Sequence, residues 1–347
     1  MAYVTPNRER RVLKAGHSSI AVTLPKPWAE AMNLRPGDIV VFDQNDDGAL
    51  YLKPAPAPGA SPAGSPYLVQ APSFDTPGVL TRLVVSAYRV GHDSIEIRTD
   101  TPLSTDRLEE LQVASRGLLG VSVVAQDPNR VVLQNFVDPS KYGLPQLVQR
   151  MKMILIAFLD EAEVSLDRSG RARRAVTLRE ETDRVLALLV RQLFLASRDW
   201  TLARRIGSPD PRQLIDWRVV VHSLEELGQL LGRVVEEARA LPRGPKKGTP
   251  EEIRQLLGEV RTHLKSSVEA IVHPSLAGAC EAYGETLRLR AEVAEAARRH
   301  PPASARAGWG TIYLALERSA ACLTALAEVA MDRAVAVGTE TVIVGAA

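Results

Sequence analysis

The sequence predicts a multidomain, mainly α protein: a small strand-rich head, a small α/β module, then two tandem three-helix bundles. Three observations carry this. Aromatics are only 5% of the 347 residues while Ala, Leu, Val and Arg abound, a balance that favours helices packed through aliphatic stripes over a β-sandwich. The tract PAPAPGASPAGSP over 54–66 can neither pair as a strand nor bury a core, so it separates the head from the rest of the chain. From Leu144 nearly to the end, long helical patterns alternate with short Gly- and Pro-marked breaks.

Charge and cysteine usage narrow the classes. Lys and Arg total 43 against 41 Asp and Glu, and the net charge of +2 excludes one large polyanion-binding surface, so any nucleic-acid site is local. Two cysteines, Cys280 and Cys322, and no secretory signal argue against a disulfide-stapled secreted protein, and a cytoplasmic location is expected. The most apolar run, Met151 to Leu159, is interrupted by Lys152 and falls well short of the ~20 residues that span a bilayer. No membrane insertion is expected.

The head reads as two short strands, 11–14 and 19–24, around the turn Ala15-Gly16-His17. Pro25 stops the second, and Lys26 to Met32 suits a short helix with Pro27 in its first turn. The turn Asn33 to Asp38 leads to the apolar run Ile39 to Phe42, and Asp46-Asp47-Gly48 returns the chain through 49–53 as a hairpin. Arg8, Arg10, Arg11, Lys14 and Lys26 face a single acid, Glu9, between 8 and 26. Such an edge could contact phosphates across a DNA backbone; the plainer reading is a strand edge kept soluble by charge.

This order, with Arg11, Lys14, Gly16, Ser18, Thr23-Leu24-Pro25-Lys26, Trp28, Leu34, Gly37-Asp38 and Val40, resembles the AbrB/MazE/SpoVT family of DNA-binding domains. The resemblance covers 8–53. It implies a swapped-hairpin β-barrel built by two chains exchanging hairpins, with the basic residues of the first strands facing DNA. Independently of the family, about 45 residues bury too little surface to be comfortable alone, so a homodimer through 8–53 is physically reasonable.

The expected boundaries are 1–53 for the head, 54–73 for a linker and 74–138 for the α/β module. Helical spacing runs over 77–90 and again from Ser104, strand alternation over 94–98, and a hairpin over 121–125 and 131–133. The first bundle takes 139–241, a second linker 242–248, the second bundle 249–337 and a tail 338–347. Candidate helices are 143–168, 172–205, 211–240, 249–271, 275–299 and 306–336.

Glu180-Glu-Thr-Asp183-Arg184, Leu189 to Leu193, Asp216-Trp-Arg218 and Leu224-Glu225-Glu226-Leu227-Gly228-Gln229-Leu230 make this body resemble the PhoU family of phosphate-uptake regulators, in its archaeal-type form with an AbrB-like head. The resemblance implies a carboxylate-bound metal cluster on each bundle. Here Gln229 and Leu230 stand at the family's aspartate and histidine positions, and Leu316 to Glu328 has lost the acidic face of the second bundle. No cofactor or stoichiometric metal is therefore expected, and weak divalent binding would use Glu180, Asp183 and Glu225. Their plainer reading is a solvated face paired with Arg184 and Arg218. The six histidines show no ligand spacing, and no Ser/His/Asp or Cys/His arrangement stands out, so no enzyme is expected.

The expected function is that of a non-enzymatic regulator of phosphate uptake or signalling, binding DNA through the head and protein partners through the body. The alternative is a modulator docked on a phosphate ABC transporter or sensor kinase, in which the head only dimerises.

Overall fold

Gly16, with φ of 77°, makes the turn marked in the sequence and joins β1 (Leu13–Ala15) to β2 (Ser19–Ala21). The register sets Lys14 opposite Ile20 and Leu13 opposite Ala21. The helix α1 (Lys26–Ala31) comes next, with Pro25 at its N-cap and Pro27 in its first turn. Past its end Asn33 takes φ of 52°, the left-handed conformation that asparagine tolerates. Strands β3 (Val40–Gln44) and β4 (Leu50–Pro54) then pair antiparallel, Phe42 opposite Leu52.

A computed structural model describes residues 9–44, 48, 50–55, 67–70, 76–167, 174–241, 249–300 and 307–337. The chain divides into two units, 1–62 and 63–347. In the first, the two hairpins form separate two-stranded sheets, and none of its described residues is buried. Val12, Leu13, Ile20, Ile39 and Phe42 are each more than half exposed. One chain alone thus supplies the strands of a head without a core.

In the second unit the expected linker 54–73 needs correction. Tyr67–Gln70 forms a strand, β5, paired parallel with β6 (Ser94–Arg98) and burying Val69. The crossover between them is α2 (Val79–Arg89), and α3 (Thr105–Arg116) leads to the hairpin of β7 (Val121–Asp127) and β8 (Arg130–Asn135). Sheet order is β5-β6-β8-β7, with β8 antiparallel to both neighbours. Ser104 caps α3, its Oγ accepting from the Arg107 N–H at 3.4 Å. Leu80, Val84 and Tyr88 of α2 and Leu111 of α3 share a core with Ile95, Ile97 and Leu133 of the sheet.

Beyond the sheet, the described residues form α4 (Leu144–Asp167), α5 (Ala175–Ala196), α6 (Trp200–Arg205), α7 (Gln213–Ala240), α8 (Thr249–Val272), α9 (Leu276–Arg299) and α10 (Ala307–Val337). The single helix expected over 172–205 is interrupted. Asp199 is non-helical and its Oδ1 accepts from the N–H groups of Thr201 (2.9 Å) and Leu202 (3.3 Å), restarting the chain as α6. Helices α4, α5 and α7 pack on one another, as do α8, α9 and α10; α10 also packs on α7, and α4 on α8. Most of the buried apolar side chains from Leu144 to Ala334 accordingly form one continuous core. The linker 242–248 and the tail 338–347 lie outside the described residues. Among those described, no helix is long and apolar enough to cross a membrane.

Sheet module and helices are joined by a buried arginine. Arg191 of α5 is 1% exposed, and its Nη1 donates to the Tyr88 carbonyl at 2.7 Å and the His92 carbonyl at 2.9 Å. Its Nη2 pairs with Asp93, and its guanidinium lies 4.8 Å from the centre of the Tyr88 ring. Ala187, one turn earlier on α5, belongs to the core of the sheet module.

Candidate functional site

In the first unit, Arg10 and Arg11 lead into β1 and Lys14 sits on it, all three exposed. Arg10 Nη1 donates to the Glu9 carbonyl at 3.2 Å. Among the described residues Arg11 and Lys14 have no ion-pair partner. Lys26, on a different element, lies 3.7 Å from Glu30 one turn along α1, both side chains well exposed. Arg8 lies outside the described residues. The basic set is thus one extended run at the first hairpin plus a separate lysine on the helix.

In the second unit Glu180 and Asp183 of α5 and Glu225 of α7 do come together. They line a cleft of about 690 Å³ whose other wall is built by α2 and the end of α3. Arginines answer two of them: Arg184 Nη2 stands 3.6 Å from Glu180, and Arg89 Nη2 3.8 Å from Glu225. Partial burial holds the Asp183 carboxyl above its ordinary range, with Arg179 and Arg89 opposing and Glu225 and Glu180 reinforcing. Burial likewise lowers the pKa of Arg89.

These residues do not fit an oxygen-ligated metal cluster. The cations beside Glu180 and Glu225 are guanidiniums from the chain itself, and among the described residues no group of three or more His, Cys, Asp or Glu is disposed to hold a metal ion. Gln229 and Leu230 line a second groove of about 890 Å³, which shares Asp183 and Glu225 with the first. There Arg179 is hydrogen-bonded to Glu236 at 2.9 Å, Arg233 to Glu237 at 2.9 Å and Arg318 to Glu226 at 2.7 Å. On α10 Cys322 is buried, its thiol pushed up to about 12 by burial with the Glu226 charge adding.

Sequence reasoning did not single out Arg82, Arg89 and Arg116, which complete the cleft, nor Arg191, which holds its two walls in register. The available signal was Arg82, Val85 and Arg89 at i, i+3 and i+7, which places them on one face of α2, beside the buried stripe of Leu80, Val84 and Ala87.

Residues 13–59 match the model of the family described as antidote-toxin recognition MazE, bacterial antitoxin. The match takes in both hairpins and α1 of the first unit and leaves the body outside it. No curated protein and no solved structure matches the chain.

Proposed function

We propose that this chain is a non-enzymatic regulator of phosphate uptake and signalling, with a head that binds DNA as a homodimer and a PhoU-like helical body that contacts protein partners. One observation carries the DNA reading: a MazE-like head without a buried residue among those described, whose exposed apolar side chains lie beside Arg11 and Lys14, which have no acidic partner among the described residues. A second copy would cover the apolar surface and set two basic strands about a twofold axis, the symmetry that DNA half-sites offer. The phosphate reading is supported by the body's resemblance to PhoU and by the packing of its long helices as α4/α5/α7 and α8/α9/α10.

Anisotropy titration of the full chain against genomic fragments, with a salt series, tests the head. Arg10, Arg11, Lys14 and Lys26 should act through phosphates, so that replacing any one by Ala weakens binding across sequences and lowers the salt slope by about one unit. A full-length protein that binds no DNA at low salt would overturn this and favour docking on a phosphate transporter or sensor kinase, with the head serving only to dimerise.

The metal expectation has its own test. With arginines beside Glu180 and Glu225 and neutral side chains at Gln229 and Leu230, the purified protein should carry no stoichiometric iron, manganese or zinc after mild dialysis. Elemental analysis showing about one metal per chain, lost in Asp183→Ala, would contradict this.

A further inference from the structure

The cleft between the sheet module and α5/α7 differs from the neighbouring groove in one respect. In the groove, Arg179, Arg233 and Arg318 are each hydrogen-bonded to a glutamate at 2.7–2.9 Å. In the cleft, no arginine is hydrogen-bonded to a carboxylate among the described residues. Arg82 and Arg116 have no carboxylate partner among the described residues, although Arg116 Nε donates to the Gln112 carbonyl at 3.3 Å within its own helix. Arg89 is 18% exposed, Glu225 stands 3.8 Å from it, beyond a hydrogen bond, and its buried Nε has no partner among the described residues. Arg184 Nε is spent on the Arg116 carbonyl at 3.1 Å, which draws the end of α3 against α5.

The lining is divided in three. Arg82 and Arg89 on α2, with Arg116 at the end of α3, give a cationic wall. Val85, Leu118 and Ala187 give an apolar strip. Glu180, Asp183 and Glu225 give an anionic wall on α5 and α7. A volume of about 690 Å³ is that of a small-molecule site. Guanidiniums favour phosphate oxygens, which they can engage bidentately; the apolar strip suits a flat ring; and the carboxylates ask for hydroxyl or amino donors. A plain inorganic anion would use the first wall and be repelled by the third. We infer that this cleft binds a nucleoside phosphate, with its phosphates on Arg82, Arg89 and Arg116, its base against Val85 and Leu118, and its sugar or base donors turned to Glu180 and Asp183.

The assignment concerns the body and stands whether or not the head binds DNA. It is tested on the full chain by anisotropy with N-methylanthraniloyl-ADP, using unlabelled ADP and inorganic phosphate as competitors. Saturable binding is expected, displaced by ADP and not by equimolar inorganic phosphate. Arg82→Ala and Arg116→Ala, both at exposed positions, should each weaken it about tenfold or more without moving the thermal midpoint. Val85→Trp, which fills the apolar strip, should abolish it. Absence of saturable binding overturns the assignment. So does equal affinity in Arg82→Ala and Arg116→Ala, and so does loss of binding in the Arg10/Arg11/Lys14→Ala head variant, which would put the probe on the head.

Discussion

Replacing Arg191 by Met should lower the unfolding free energy of the second unit by ~1–3 kcal/mol. Met fills similar space and removes a buried charge. It also takes one of two donors from the Tyr88 carbonyl, which keeps the Gly91 N–H at 3.0 Å, and leaves the His92 carbonyl without its donor at 2.9 Å and Asp93 without its cation. A buried acceptor left unpaired costs ~1–3 kcal/mol, more than the substitution returns. Arg191→Lys should not restore the loss, because one compact ammonium cannot reach three acceptors in the planar spread of a guanidinium. Urea unfolding of both variants measures it, and a change within about 0.5 kcal/mol of wild type, the range of an ordinary surface substitution, would show that the two walls of the cleft are held by their shared apolar core alone.

The second large effect concerns the head. Deleting residues 1–53 should leave a folded helical body in a lower association state, because the first unit exposes Ile20, Ile39 and Phe42 and buries none of its described residues, whereas the body closes its core within one chain. Light scattering on the full-length and truncated proteins reads the difference. Should the truncated body keep the full-length mass ratio, the principal self-contact lies on the helices. A milder version, Phe42→Asp, should shift the full-length protein toward monomer at micromolar concentration while leaving the thermal transition of the body in place.

How much of the fold is legible in the sequence depends on how local each signal is. Gly16, Pro25, Pro27 and Gly48 act on their own backbone, so the hairpins and the short helix of the head are legible from a few residues. The long helices repeat an apolar stripe over many turns, and their breaks carry Gly or Pro. The strand Tyr67–Gln70 is four residues long beside a Pro-rich tract, too short for periodicity, and only its parallel partner β6 makes it a strand. The interruption after Ala196 carries neither Gly nor Pro and depends on the carboxylate of Asp199. Of the site, the three acids are legible as a spaced set, and so is Arg184, one turn from Glu180 on the same helix. The arginines of α2 are not, because α2 lies far from α5 and α7 in sequence and only tertiary packing brings Arg89 to Glu225.

The pairing of α7 with α10 also has a consequence for synthesis. Trp217 of α7 lies under the guanidinium of Arg333, 4.3 Å from its ring, and Arg333 Nε donates to the Ile271 carbonyl at the end of α8 at 3.2 Å. About 100 residues separate the end of α7 from the end of α10, which at ~5–20 residues per second is ~5–20 s of translation. Throughout that interval the nascent body carries an uncovered aliphatic face, the substrate that chaperones recognise. The last of these helices to leave the ribosome is the one that closes the core, so truncations that remove α10 should be cleared by proteolysis far more readily than truncations of equal length in the head.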